Sequence, residues 1–248
     1  MKKIVACLDC MNGRVIKGVN FVDFKDAGDP AENAKFYSEN GADEIVLLDI
    51  SATNENRDTI IDVVKDVAEN INVPFAVGGG IKNKEDARRV LEAGANRISV
   101  NSAAVRNPDI INEISGEFGK EKLVVAIDSK KDTDGKHYIY INGGKKKTDI
   151  DTFEWAKEAK KRGAGAILVT SIDGDGTKEG YDLELTRKIK EAVGDIEVIA
   201  SGGAGCLEDF YKAFTEGCAD SALAASLFHF KEVDIMDLKN YLKGKGVL

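Results

Sequence analysis

The chain has 248 residues, 43% of them hydrophobic and 31% charged, which is typical of a globular protein with a sizeable core. Its formal net charge of −8, without an evident basic face, argues against nucleic-acid binding. No apolar stretch approaches the roughly 20 residues that span a bilayer, and the start has no secretory signal, so we expect a cytoplasmic protein with no membrane contact.

Eight apolar segments alternate with eight amphipathic segments along the chain. The apolar ones consist mainly of Val, Ile, Leu and Ala, a composition that predicts parallel strands covered on both faces. The predicted strands are, in chain order, residues 4–9, 44–50, 74–78, 97–101, 123–128, 165–171, 196–201 and 220–225. This alternation predicts an α/β fold with a single domain over residues 1–248, a closed (β/α)8 TIM barrel. An open doubly wound sheet is the alternative.

Two longer segments follow the first and fifth predicted strands. Residues 11–26 contain Asn12-Gly13, a signal for a two-residue hairpin turn. Residues 132–147 contain Asp134-Gly135 and then alternating polar and apolar residues. Because both segments follow equivalent strands, we expect them at the same mouth of the barrel, where long loops shape a substrate site or form lids.

The second half of the chain repeats the first at the ends of its strands. Asp9 ends the first predicted strand and Asp128 ends the fifth. The other matches pair Asp49 with Thr170 and Ser171, residues 77–80 with residues 201–204, and residues 101–102 with residues 225–226. A twofold repeat of about half the chain predicts a half-barrel of four strand–helix units that has been doubled.

The two repeated aspartates are the candidate catalytic residues. Barrel enzymes carry their catalytic groups at the carboxyl ends of the strands, and Asp9 and Asp128 would face each other across that mouth. Two carboxylates across a pocket can act as general acid and general base if their surroundings separate their pKa values. The alternative is that each aspartate only caps the loop that follows it.

Glycine-rich turns follow the third and seventh predicted strands, and short polar segments follow the fourth and eighth. Glycine lets backbone N–H groups approach an anion closely, and the loops after strands 7 and 8 are a recurrent phosphate site in barrels. Because this phosphate site occurs twice, after strands 3 and 4 and after strands 7 and 8, we expect a long substrate with a phosphate at each end. We expect a side chain at Gly203 to block one of these sites and to weaken binding much more than folding.

Metal and cofactor chemistry has little support in the sequence. Residues 173–177 contain two acids, but the spacing and terminal Glu of a calcium-binding EF-hand loop are missing. The chain has only two histidines, and Cys7 and Cys10 have no second cysteine pair to complete a metal site. We therefore expect neither a metal nor a cofactor.

Several stretches together resemble one known family. They are residues 6–9, 13–21, 173–182, 199–205 and 223–230. On these stretches the chain resembles, over essentially its whole length, the cyclase subunit of imidazole glycerol phosphate synthase, an enzyme of histidine biosynthesis. The isomerase of the same pathway has a similar barrel, both aspartates and the glycine turns, but lacks the patterns at residues 17–21 and 224–230.

The resemblance implies a lyase that acts with a partner. A separate glutaminase subunit, bound as a heterodimer, would supply ammonia through the barrel. The substrate would be the bis-phosphorylated ribulosyl formimino aminoimidazole carboxamide ribonucleotide. Cleavage and ring closure would give imidazole glycerol phosphate and aminoimidazole carboxamide ribonucleotide. The alternatives are the phosphorylated-sugar isomerase, which needs no glutaminase, and a non-catalytic phosphate-binding barrel.

The resemblance also implies a role for individual residues. Asp9 and Asp128 would be the acid and base pair. The residues expected to contact the substrate are Lys17, Asp49, Thr170 and Ser201. The residues expected to hold one phosphate are Gly80, Asn101 and Ser102, and those expected to hold the other are Asp175, Gly176, Gly203, Ala225 and Ser226.

At the opposite end of the barrel, the resemblance implies a ring of four charged residues around the ammonia entrance. Lys3, Glu44 and Arg97 occupy three of the positions, but Ala166 occupies the fourth, where the family has an acid. We therefore expect a ring of two cations and one anion and a loosely closed entrance.

Overall fold

The computed structural model describes residues 1–19, 22–50 and 61–248, without the side chains of residues 17–19 and 22–25. The strands in this part are β1 (Lys3–Met11), β2 (Arg14–Val19), β3 (Val22–Gly28), β4 (Glu44–Asp49), β5 (Phe75–Gly78), β6 (Arg97–Val100), β7 (Leu123–Lys131), β8 (His137–Ile141), β9 (Lys146–Asp151), β10 (Ala166–Ser171), β11 (Glu197–Ser201) and β12 (Ser221–Ala224). The helices are α1 (Pro30–Glu39), α2 (Ile61–Asn70), α3 (Lys84–Glu92), α4 (Ser102–Arg106), α5 (Asp109–Phe118), α6 (Thr152–Arg162), α7 (Leu183–Val193), α8 (Leu207–Thr215), α9 (Ser226–His229) and α10 (Ile235–Gly244), with a 3-10 turn at Lys120–Lys122.

Parallel strands form a closed ring in the order β1, β4, β5, β6, β7, β10, β11 and β12. The ring closes because β12 pairs with β1 and β10 pairs with β7, both in parallel. The predicted (β/α)8 barrel is therefore confirmed, with strand boundaries that differ from the predicted ones by up to three residues. The open-sheet alternative is wrong, since an open sheet would leave two edges unpaired.

Each half of the barrel carries an antiparallel hairpin at the same place, β2–β3 beside β1 and β8–β9 beside β7. Asn12 and Gly13 have φ angles of 54° and 74°, the left-handed values that a type I′ turn requires. The turn joins β1 and β2, as the Asn12-Gly13 signal predicted, and the matching positions of the pairs β2–β3 and β8–β9 agree with the doubled half-barrel. Lys146 and Lys147 lie in β9, where the sequence predicted a loop.

Alternate residues of a barrel strand point to the axis, and the residues between them point to the helices. On β1 the inward series runs from a charged residue through two apolar ones to a carboxylate: Lys3, Val5, Cys7 and Asp9. The intervening residues of β1 join the large apolar cluster between strands and helices. The barrel interior is thus layered, with charge at one end, an apolar middle and the carboxylates at the mouth.

The helices begin where the sequence provides caps. The side chain of Asp29 accepts hydrogen bonds from the backbone N–H groups of Ala31 and Glu32, and Pro30 occupies the first position of α1. Such caps fix where each strand–helix connection ends, and hence which loops lie at the mouth. Among the residues described, no helix combines the length and apolar character needed to cross a bilayer.

Candidate functional site

A cavity of about 770 Å³ opens at the carboxyl ends of the barrel strands. This volume falls within the usual range for small-molecule sites. The predicted catalytic and substrate-binding residues that line it are Asp9, Asp49, Gly80, Asn101, Ser102, Asp128, Thr170, Asp175, Gly176, Ser201, Gly203, Ala225 and Ser226. Of the predicted set only Lys17 is not among them; its backbone lies in β2, and its side chain is outside the described part of the chain.

Asp128 is a partly buried residue of β7 that lines the cavity. The side-chain amide Nδ2 of Asn101, just after β6, donates a hydrogen bond of 3.1 Å to Oδ2 of Asp128. Burial raises the pKa of Asp128 to about 6, with a further rise from the charge of Asp175, while the hydrogen bond from Asn101 acts in the opposite direction. A carboxyl with a pKa near neutrality can exchange a proton during a reaction, as acid–base catalysis requires.

Asp9 has a different neighbour at the same level of the barrel. The thiol of Cys7, two residues earlier on the inward face of β1, lies 3.6 Å from Oδ1 of Asp9. Asp9 and Asp128 lie on β1 and β7, which are four strands apart in a ring of eight in either direction. The two carboxylates therefore lie on opposite sides of one cavity, as predicted, although their local partners differ.

The turn after β5 is tightly packed against β4. Gly79 has φ of 93°, and a Cβ atom there would lie 2.1 Å from the carbonyl oxygen of Asp49. On the same side of the cavity, Oγ of Ser102 accepts a hydrogen bond of 2.9 Å from the backbone N–H of Asn142, on the turn between β8 and β9. This contact connects the β8–β9 hairpin to the first predicted phosphate site.

The turn after β11 contains Gly203. The expectation that a side chain there would weaken binding much more than folding is wrong. Its φ is 106°, and a Cβ atom would lie 2.0 Å from the carbonyl oxygen of Gly180. The backbone N–H of Gly180 donates a hydrogen bond of 2.8 Å to the carbonyl oxygen of Gly203, so the two segments are fixed against each other. A side chain at position 203 would disturb this packing and with it the fold, not only an anion site.

The cavity is also lined by four basic residues outside the predicted set: Lys82, Arg106, Lys145 and Lys178. Lys178 forms an ion pair of 2.6 Å with Glu232, and Arg106 donates a hydrogen bond to the side chain of Asn142. Lys145 lies on the turn between β8 and β9. Lys82 and Lys178 each follow a glycine-rich turn by two residues, whereas Arg106 and Lys145 belong to other segments.

The opposite end of the barrel contains a ring of four charged side chains, which we call the charge ring: Lys3, Glu44, Arg97 and Glu197. Lys3 lies 3.2 Å from Glu44 and 3.0 Å from Glu197. Arg97 lies 3.1 Å from Glu44 and 2.8 Å from Glu197. Each cation therefore contacts both acids, and the ring alternates in sign.

The expected ring of two cations and one anion is therefore wrong. Ala166 is indeed uncharged and buried, but Glu197 is its register partner on the neighbouring strand β11. Register partners on parallel strands point to the same face, so the acid is supplied from β11 instead of β10. Side chains two and four residues apart on a strand point to the same face. Glu197 lies four residues before Ser201, a predicted site residue, so this alternation alone would have placed it inside the barrel.

Oγ of Ser221, on β12, donates a hydrogen bond of 2.6 Å to Oε1 of Glu197. Burial raises the pKa of Glu197, but the charges of Arg97 and Lys3 and the bond from Ser221 outweigh it, so the pKa is lowered overall. Glu197 is thus held as a carboxylate within the charge ring. No group of three or more His, Cys, Asp or Glu side chains suited to a metal occurs in the described part of the chain.

The comparisons with known proteins give a consistent result. The family model described as "Histidine biosynthesis protein" matches residues 3–234. A relative from Clostridium botulinum (strain Kyoto / Type A2), named imidazole glycerol phosphate synthase subunit HisF, is 58% identical over 247 residues, which cover 99% of this chain and 97% of the relative. A HisF subunit from Hydrogenobaculum sp. (strain Y04AAS1) is 56% identical over 246 residues, with the same coverage.

Proposed function

The chain belongs to the histidine biosynthesis protein family, and on that premise we propose that it is the cyclase subunit of an imidazole glycerol phosphate synthase. Its relatives from Clostridium botulinum and Hydrogenobaculum carry the name of this synthase along nearly their whole length. They do not support the isomerase alternative. As part of the same proposal, residues 1–248 form one catalytic domain that works in the cytoplasm.

The observation that carries the proposal is the arrangement of the cavity, with two carboxylates on opposite strands of one mouth. In the proposed reaction, Asp9 and Asp128 transfer protons while ammonia attacks the substrate. A carbon–nitrogen bond of the substrate breaks, which releases aminoimidazole carboxamide ribonucleotide, and the imidazole ring closes. A carboxyl with a raised pKa, such as Asp128, is suited to give a proton and take it back in successive steps.

The two ends of the substrate would bind at the two sides of the mouth. The segments around Gly80 and Asn101-Ser102 would hold one phosphate, and the segments around Gly176 and Gly203 would hold the other; all of them line the cavity. The basic residues of the cavity support this division by charge. Lys82 and Arg106 adjoin the β5 and β6 segments, whereas Lys178 adjoins the segment after β10.

We propose that the charge ring is the entrance for ammonia and that a glutaminase subunit docks over it. Ammonia made there would pass through the ring and along the apolar interior to the carboxylates. That interior is lined by small and medium apolar side chains, including Val5, Val46, Ala76 and Val124. Neutral ammonia passes an apolar lining more easily than ammonium does, because burial in an apolar medium disfavours the charged form.

The test is a direct assay of the purified chain. The bis-phosphorylated ribulosyl substrate is mixed with protein and ammonium at alkaline pH, and release of aminoimidazole carboxamide ribonucleotide is followed, with the Asp128→Asn variant as control. Turnover by the wild-type chain and its loss in the variant are the expected result. If the chain interconverts only the ribosyl and ribulosyl forms, or gives no product, the proposal is wrong.

A further inference from the structure

The two halves of the barrel have diverged next to their catalytic aspartates. The residue that corresponds to Asn101 in the other half is Ala225, and the residue that corresponds to Cys7 is Ala126. All four line the cavity. Each carboxylate thus has one polar neighbour where its counterpart has an alanine, an amide beside Asp128 and a thiol beside Asp9.

The side chain of Asn101 does not act as a helix cap, although its position favours one. Asn101 is the residue before α4, and asparagine is among the preferred residues there because its side chain can accept hydrogen bonds from the first turn. In this structure it makes no such bond, and its amide donates to Asp128 instead. The contact with the carboxylate is formed at the expense of a common local interaction.

The orientation of the Asn101 amide follows from its partner. An ionised carboxylate only accepts hydrogen bonds, so Nδ2 must face Asp128 and Oδ1 must face away. Oδ1 is buried, with no hydrogen-bond partner among the described residues. A fully ionised phosphate also only accepts hydrogen bonds, so this unpaired acceptor of Asn101 does not suit a phosphate and suits an N–H group of a substrate.

We infer that Asn101 is a positioning residue for Asp128, which holds that carboxylate in place and favours its ionised form, and not a side-chain ligand of the substrate phosphate. The reaction in which it acts is the cyclisation proposed above, and the kinetic part of the test rests on that function. The position that corresponds to Asn101 in the other half is Ala225, which has no side-chain amide.

Several other groups lie near Asp128 and must be considered in any pH measurement. Tyr140 of β8 is its register partner, Thr170 of β10 is an uncharged neighbour, and Asp175 on the turn after β10 raises its pKa. Within the described part of the chain, the other charged groups around the cavity are Asp9, Asp49, Lys82, Arg106, Lys145 and Lys178. None of these is changed in Asn101→Ala, so a shift of the Asp128 titration in that variant reports the loss of the amide.

The first measurement does not depend on catalysis. Protein with ¹³C-labelled aspartate carboxyl groups is titrated by NMR, and the Asp128 signal is assigned by its absence in Asp128→Asn. Asn101→Ala removes the donor that favours the carboxylate, so Asp128 should titrate at higher pH than in the wild type. Asn101→Asp, which is close in shape, replaces the donor by an acid and should move the titration further in the same direction, and it serves if Asn101→Ala does not fold.

The second measurement is the pH dependence of ammonium-driven cyclisation. In Asn101→Ala, kcat should fall about 10-fold or more, as expected for a misplaced acid or base, and the limb of the profile due to Asp128 should move to higher pH with little change in KM. Ser102→Ala, the adjacent change in the predicted phosphate site, should raise KM and leave that limb in place. A wild-type chain without cyclase activity would refute the proposed function but leave the NMR test intact.

Two results would overturn the inference. One is an unmoved Asp128 titration in a folded Asn101 variant. The other is a raised KM with an unshifted pH profile, which would make Asn101 a ligand of the phosphate.

Discussion

Glu197→Ala should weaken the protein, because it removes one of two acids from the charge ring. Glu197 contacts Arg97 at 2.8 Å and Lys3 at 3.0 Å, and it accepts the hydrogen bond from Ser221. Without it, Glu44 alone faces both cations. The side chain of Glu44 is only 1% exposed, so a single buried acid would then have to balance two cations.

The size of the effect follows from the exposure of each contact. The side chain of Arg97 is 12% exposed, and losing a hydrogen bond between charged groups at such a site costs about 1.5–3 kcal/mol. The side chain of Lys3 is 36% exposed, so solvent screening limits that contact to about 1 kcal/mol or less. Together they predict a loss of about 2–4 kcal/mol in the free energy of unfolding at neutral pH, close to the range for breaking a buried pair.

The effect should depend on pH in one direction. Since the pKa of Glu197 is lowered in the folded protein, its stabilising contribution is present above the unfolded pKa and is lost as the pH falls through the folded pKa. The difference between wild type and Glu197→Ala should therefore shrink in acid. Urea unfolding from neutral to acidic pH measures it, and a difference below about 0.5 kcal/mol at neutral pH would refute the coupled ring.

A second variant places the acid one strand away. Ala166 is the register partner of Glu197, so Ala166→Glu in the Glu197→Ala background should restore part of the lost stability. In the wild-type background, Ala166→Glu adds a third acid to a balanced ring and should destabilise it by like-charge repulsion. In the complex with glutaminase, the ratio of glutamine-driven to ammonium-driven cyclisation should change in Glu197→Ala and recover in the double variant.

The remaining predictions concern the cavity. Asp9→Asn and Asp128→Asn should each fold and lose at least ~10²-fold in turnover, and near-wild-type turnover would remove that residue from the mechanism. Burial raises the pKa of Asp128 to about 6, so the stability of the wild type falls as the pH rises from about 4, the ordinary carboxyl value, to about 6. Asp128→Asn should therefore be more stable than wild type at pH 7 by up to about 3 kcal/mol and lose this advantage below about pH 4, as urea unfolding would show. Gly203→Val should lower the free energy of unfolding, since its Cβ would meet the carbonyl of Gly180 at 2.0 Å, and a folded variant of unchanged stability with weak substrate binding would contradict this.

The sequence alone determined the architecture of this protein. Eight nearly continuous apolar segments predict parallel strands, and their alternation with helices predicts a barrel, because parallel strands must be covered on both faces. The repeat then identified Asp9 and Asp128, since equivalent strands of a doubled half-barrel end at the same mouth. Strand ends and glycine turns depend on short stretches of sequence, so they can be recognised without the tertiary structure.

Only the tertiary structure decided which side chains meet. The pairing of Asn101 with Asp128 depends on β6 lying beside β7, and the place of Glu197 in the charge ring depends on its register with Ala166. Neither contact has a fixed spacing along the chain. The sequence shows Ala166 at the position where an acid was expected, but it does not show that Glu197 on the neighbouring strand supplies the acid. A barrel interior is shared by strands distant in sequence, so its charge balance is a property of the closed ring and becomes visible only when the register is known.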